Sequence, residues 1–404
     1  MFLIFLIRRK KNKILWGPVP IINIKGHSIA LNELGYQSVT LVSEVFNIND
    51  RSDFDLTYSD LIPIKLIRKN NRLRILIGQL LGFFYVIKNA KVYNTSYFGG
   101  YLGNSFLWRL EFFVYKLFDI KIVISAFGGD VYQYSKLIDY SLKHGLIMSY
   151  PDMAKEENII SNKVKYFTKK ADLIINGNQF EGLGRYDLLP QSNLIVMNNI
   201  IRKKEKKTSG KVIKIAHCPN HRGFKGTEFV IDAVNQISKK GFKVELKIIE
   251  NIPRNDLIKI FHEDIDILVE QLICPTYGMN AVEGMASGLV VLSNLSNSSY
   301  SQVFRRYSFL NECPIVSTNP ENIVENLEQL ILNRKLRELL GTLGIQYVKK
   351  YHSIESGKYF FKKIYNQLLN GVDEDLINMY HPLKSNYAKQ NYIKTPLKDN
   401  NIIT

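Results

Sequence analysis

The stretch KVIKIAHCPNHRGFKGTEFVIDAV, residues 211–234, contains one complete structural repeat. Val212–Ala216 is a short apolar run of the kind that forms a parallel strand covered on both faces. A polar loop bounded by glycine follows. From Thr227, an expected N-cap, Phe229, Val230, Ala233, Val234 and Ile237 recur at helical spacing until Gly241 ends the helix. A strand, loop and helix in this order repeat in α/β sheets, whose ligands gather at the carboxyl ends of the strands.

The same unit recurs on either side of this stretch. Phe242, Val244, Leu246 and Ile248 alternate as a strand, and Ile265–Val269 and Leu289–Ser293 are further strands. Asn319-Pro320 opens a helix with Ile323, Leu327, Leu330 and Ile331 on one face, and Leu336, Leu339, Leu340, Leu343 and Tyr347 mark another. Towards the amino terminus, β-rich runs stand at Lys13–Leu15, Lys91–Asn94, Lys121–Ser125, Asp172–Asn176 and Leu194–Met197, spaced by helix-length segments. Residues 202–210 (RKKEKKTSG) interrupt the series as a charged linker. The expected organisation is a Rossmann-like domain over 1–201, the linker, a second such domain over 211–353, a helix over 354–372 packing back on the first domain, and a polar tail over 373–404, surface-bound or disordered.

The 404 residues, 46% hydrophobic and 23% charged, suffice for two cores. A net charge of +17 implies a negative partner: nucleic acid, an anionic membrane or a phosphate-rich substrate. The Lys and Arg residues are scattered and match no nucleic-acid motif, so no nucleic-acid partner is expected. Cys218, Cys274 and Cys313 lie far apart, which fits a reduced cytoplasm. Met1–Ile7 is too short to span a bilayer, which needs about 20 residues. It reads as a buried first strand, a disordered extension, or a weak anchor dipping Phe2, Leu3, Phe5 and Leu6 into lipid beside Arg8–Lys11. Ile75–Ile87 has the length of a buried helix.

Two segments carry chemistry. In PTYGMNAVEGMASG, residues 275–288, Tyr277-Gly278 brings bare backbone to a helix amino end, where N–H groups favour phosphate. Glu283, within the first turns, can accept from a ribose diol. The segment reads equally as a Gly-containing βα turn with a glutamate near the helix start. In HCPNHRGFKGT, residues 217–227, Arg222 and Lys225 can address one anionic centre and neutralise a diphosphate without a metal. The bland reading is a basic surface loop. His217, Cys218 and His221 lack the spacing of a zinc site, and Asp53-Phe54-Asp55 and Asp264-Ile265-Asp266 read as structural, so no metal is expected.

Residues 213–293 resemble the donor-binding half of family 4 (group 1) glycosyltransferases. NHRGFKGTEFVIDAV resembles that family's Arg/Lys loop, YGMNAVEGMASGLVVL its second-glutamate motif, and residues 313–353 its closing helices. The resemblance extends loosely over about residues 13–370. It implies the GT-B fold, with two Rossmann-like domains whose parallel sheets face across a cleft. It also implies that Arg222 and Lys225 bind donor phosphates, that Glu283 binds the ribose, and that the turn Tyr277, Gly278, Met279 and Asn280, leading into Ala281 and Val282, lies along diphosphate and sugar. The family's first glutamate would fall eight residues before Glu283, at Pro275; Glu270 and Gln271 are candidate substitutes. Gly17 in the Gly-Pro-Val-Pro loop resembles the family's amino-terminal loop. Asp130 in Phe-Gly-Gly-Asp resembles a cleft turn; it orients a sugar or caps the next helix. Asn198 and Asn199 are candidates for the hinge.

The resemblance thus implies a retaining, metal-independent transferase needing no cofactor. Its donor would be a UDP- or GDP-linked nucleotide sugar and its acceptor a glycan or lipid-linked glycan, in bacterial surface polysaccharide synthesis. Arg8–Lys13, Arg68–Arg74 and the apolar helix after them form the expected contact with an anionic membrane, on the inner face of the cell membrane. The alternatives are an inactive binding or scaffold protein of the same fold, and a nucleotide-sugar epimerase, which would need acid/base carboxylates and a histidine around the donor.

Overall fold

A computed structural model of the chain describes residues 12–176, 182–189, 193–197, 212–296 and 298–403. The apolar run Met1–Ile7 with Arg8–Lys11, Asn198, Asn199 and the linker 202–210 lie outside the described residues. The chain divides into two compact units. The first comprises Met1–Gln133, Glu156–Gln191 and Gly357–Leu376; the second comprises Tyr134–Lys155, Ser192–Ser356 and Ile377–Thr404.

The first unit is built on strands β1 (Lys13–Trp16), β2 (Gln37–Val42), β3 (Leu56–Thr57), β4 (Ala90–Thr95), β5 (Lys121–Ser125) and β6 (Leu173–Ile175). They form one parallel sheet in the order β3-β2-β1-β4-β5-β6. Ile14, Leu15, Val92, Tyr93, Val123 and Ile124 are buried, as strands covered on both faces require. The helix Ile354–Asn370 contributes Phe361, set edge-on to Trp16 and His27, and Tyr365, whose hydroxyl accepts from Asn94 Nδ2 at 3.1 Å.

The second unit holds β7 (Ile213–His217), β8 (Val244–Ile248), β9 (Ile267–Gln271), β10 (Val290–Ser293) and β11 (Val316–Ser317), parallel in the order β11-β10-β9-β7-β8. Val230, Ala233, Val234 and Ile237 of the helix Thr227–Lys239 bury against Ile215, Ile267 and Val290. Each of the valine and isoleucine side chains contributes roughly 1.5–3 kcal/mol when fully buried.

Five expectations need correction. Leu194–Met197 is not a strand; only Ile195 forms a bridge, to Ser353. Thr227 is not the N-cap: Gly226, left-handed at φ 76°, holds that position, and Thr227 is the first helical residue. Tyr134–Lys155 clusters with the second unit, because the helix Tyr140–Ser149 packs on the 222–225 turn, where Ser149 Oγ accepts from Phe224 N–H at 2.9 Å. The helix containing Ile75–Ile87 forms, over Asn71–Asn89, but is not a buried one: its fully buried residues are Gly78, Gly82, Val86 and Ile87. The glycines lie so close to the rings of Tyr58 and Tyr101 that a Cβ would clash.

The polar tail is ordered. Strands β12 (Leu397–Lys398) and β13 (Asn401–Ile402) form a hairpin. Asn400 accepts from Ser317 N–H at 2.7 Å through its carbonyl and donates from its amide to Cys313 O and Ile315 O. Its partners are the backbone of an edge strand, so no apolar periodicity was required.

Candidate functional site

The densest chemistry lies at the carboxyl end of the second unit's sheet. β7 ends at His217, whose Nδ1–H donates to Val269 O at 2.8 Å while Nε2 accepts from Thr227 Oγ1 at 2.9 Å. Both ring nitrogens are engaged. Burial lowers the imidazole pKa to about 4, so the ring is a neutral brace between strand and helix. Burial likewise pushes the neighbouring Cys218 thiol up to about 12.

The loop then winds into one helical turn, Arg222–Lys225, closed by Gly226. Arg222 and Lys225 stand on that turn, and each has its own carboxylate. The Arg222 fork donates from Nε and Nη2 to Glu250 at 3.1 and 2.9 Å. Lys225 Nζ donates to Glu270 Oε1 at 2.9 Å and Gln271 Oε1 at 2.6 Å. Glu270, wholly buried in β9, also accepts from Gly278 N–H at 3.2 Å and Ser293 Oγ at 3.0 Å. Gln271 donates to Thr276 O at 2.7 Å and so fixes the loop between β9 and the next helix.

That helix is Met279–Ala286, with Gly278 as its N-cap. Ala281 and Val282 are buried in the core, and Asn280 presents a buried side-chain oxygen without a hydrogen-bond partner. Tyr277 points its ring inward, where its hydroxyl meets Tyr347 at 2.7 Å and His352 at 3.2 Å. It therefore anchors the turn that leads into the helix. Glu283 is 3% exposed, and burial raises its carboxyl pKa, opposed by an ion pair with Arg254.

Three cations and three carboxylates thus surround the end of β7: Arg222 with Glu250, Lys225 with Glu270, and Arg254 with Glu283. His217 feels the charges of Lys225, Glu250 and Arg222, while Cys218 feels those of Glu283, Lys225 and Glu270. Glu250 and Arg254 escaped the sequence reading. Their signal was position: Asn251, left-handed at φ 55°, and Pro253 mark the turn at the carboxyl end of β8, the ligand edge of the sheet.

In the first unit, Gly17 ends β1 in a conformation with φ 149°, and a Cβ there would strike Leu41 O. A cavity of about 220 Å³ opens beside this loop, lined by residues including Val19, Ser43, Glu44, Gln79 and Asn104. Asp130 neither caps a helix nor points into this cavity. Its carboxylate accepts from Phe127, Gly128 and Tyr97 N–H at 3.1, 3.0 and 3.0 Å, and burial raises its pKa to about 6. The aspartate pairs of the sequence also have protein partners. Asp53 pairs with Lys25, Asp55 accepts from Thr40 N–H, Asp264 pairs with Lys214 and Lys247, and Asp266 accepts from Lys214 N–H.

Residues 227–346 match the family described as Glycosyl transferases group 1. No sequence among the curated proteins matches. Among solved structures, a sucrose-phosphate synthase from Thermosynechococcus elongatus is similar at TM-score 0.58 and 12% identity, over 90% of this chain and 100% of that one. HepE from Anabaena in complex with UDP-glucose matches at 0.53 and 11%, over 88% and 100%. A glycosyltransferase from Rickettsia africae matches at 0.53 and 14%, over 90% and 100%. The chain therefore has the GT-B fold, and residues 227–346 of its second unit match the group 1 glycosyltransferase model.

Proposed function

We propose that the chain is a retaining, metal-independent glycosyltransferase that takes a sugar from a UDP- or GDP-linked donor and passes it to a glycan or lipid-linked glycan, in surface polysaccharide synthesis at the inner face of the cell membrane. The observation that carries this reading is the set of paired cations around the amino end of the 279–286 helix. Lys225 uses two of its three N–H groups on protein partners, and Arg222 two of five, so both keep donors for a diphosphate. On this reading Glu283, now paired with Arg254, takes the ribose diol, and the unpartnered Asn280 oxygen accepts a donor hydroxyl. Glu270 replaces the carboxylate that Pro275 cannot supply. HepE, whose crystal structure contains UDP-glucose, makes that sugar nucleotide the first donor to test.

In the reaction, the anomeric C–O bond to the diphosphate lengthens while Lys225, Arg222 and the helix amides stabilise the charge building on the leaving oxygens. The acceptor hydroxyl attacks from the same face, its oxygen forms the new C–O bond, and its proton passes to a diphosphate oxygen. Catalysis rests on positioning and electrostatics rather than on a protein nucleophile.

The test is a panel of UDP- and GDP-sugars measured by thermal shift in EDTA. One donor should raise the melting temperature of wild type and fail to do so for Glu283→Ala. A folded wild-type protein that no donor stabilises would sink the reading. The anomeric configuration of the product, read by NMR, decides between retention and inversion.

A further inference from the structure

Between Leu61 and Leu110 the chain has no Asp or Glu and eight Lys or Arg residues: Lys65, Arg68, Lys69, Arg72, Arg74, Lys88, Lys91 and Arg109. The first five lie on the helix Lys65–Lys69 and the first turn of the helix Asn71–Asn89. Apolar residues alternate with them and are not covered. Leu66 is 79% exposed, and Leu73, Leu76 and Leu80 form an exposed stripe at helical spacing.

The 71–89 helix is oriented against ordinary burial, with glycines against the core and leucines outward. A second stripe, Phe106, Leu110, Phe113 and Leu117, runs along the helix Trp108–Leu117, with Phe106 90% exposed. Phe83 of the longer helix stacks on Tyr115 of the shorter one, and Ile75, Gln79 and Asn104 line one cavity, so the stripes adjoin.

We propose that this face of the first unit docks on an anionic bilayer, the two stripes entering the acyl boundary and the cations meeting lipid phosphates. Two exposed apolar stripes at helical spacing, the first bordered by Lys65, Arg68, Lys69, Arg72 and Arg74 with Glu44 paired to Arg74, have the chemistry of an interfacial surface. A protein partner would leave unexplained a run of 50 residues without a single anion. No helix among the described residues is long and apolar enough to cross a membrane, so the contact is peripheral. The cavity beside Ile75 and Gln79 then lies next to the bilayer, where the head group of a lipid-linked acceptor would present itself. The inference deepens the acceptor half of the function proposed above.

The test is flotation of the full chain, without donor, on phosphatidylcholine vesicles and on vesicles carrying phosphatidylglycerol. Binding is expected only with phosphatidylglycerol, should fall several-fold as salt is raised, and should be lost in Leu76→Glu/Phe113→Glu and weakened in Lys69→Glu/Arg72→Glu. Circular dichroism and the donor-induced thermal shift should be unchanged in all variants. No binding by the folded wild type, or equal binding by the stripe variants, overturns the proposal. So does a dimer in light scattering that Leu76→Glu/Phe113→Glu dissolves, since the face would then serve a second copy. Because vesicle binding is read without a donor, its failure leaves the donor site standing, and failure of the donor site leaves vesicle binding intact.

Discussion

Asp130 in the first unit and Glu270 in the second are both buried carboxylates near the end of a parallel strand, yet they are satisfied differently. Asp130 takes three backbone amides and no cation. Glu270 takes one amide, one hydroxyl and the ammonium of Lys225. Backbone partners cannot leave without unfolding the loop, so Asp130 is fixed scaffolding. A lysine on a flexible stem can redistribute its donors when a second anion arrives. The comparison separates carboxylates that shape a loop from those that can exchange partners with a ligand.

The largest expected effect comes from breaking the exchangeable pair. Lys225→Met should lower the transfer rate by about 10²–10³ and destabilise the fold by roughly 3–5 kcal/mol, because Glu270 is left buried and unpaired. Adding Glu270→Gln should restore the melting temperature but not the rate. Recovery of both would mean that Lys225 acts only as a counter-ion.

Asp130→Asn should change stability without touching donor binding, checked by urea unfolding and titration with the sugar nucleotide. Its sign is set by the raised pKa, about 6 in the native state, against about 3.9 in an unfolded chain. Between these values the native state holds the extra proton, so Asp130 costs stability as pH rises from about 4 to about 6. Asparagine does not titrate. The wild type should therefore lose ground relative to the variant across that window and hold a constant difference above it. A donor affinity that falls with this substitution would end the distinction drawn above.

The smallest effect is expected at Arg222, which is half exposed. Arg222→Gln should leave the melting temperature unchanged, lower donor affinity less than Lys225→Met does, and flatten its salt dependence. A marked loss of stability would show that the pair with Glu250 is structural.

The second half was the more legible because its signals are local. A strand, a polar loop and a helix stripe lie within residues 212–237, and the structure keeps them in that order. β5 matches its expected bounds, whereas β2, with polar Gln37, Ser38 and Thr40 among its residues, gave no apolar run to recognise. Arg222, Lys225, Glu270, Gln271 and Glu283 are brought together as a cluster, but Glu250 and Arg254, distant in sequence, were not foreseen in it.

The two parallel sheets and the helix that carries Glu283 follow from periodicity and turn chemistry, which act over a few residues. Long-range packing sets which carboxylate each cation meets, seats the tail on the edge of β11, and turns the glycines of the 71–89 helix inward and its leucines out. Those outcomes depend on side chains tens of residues apart competing for the same partner or the same space, and no local pattern records who wins.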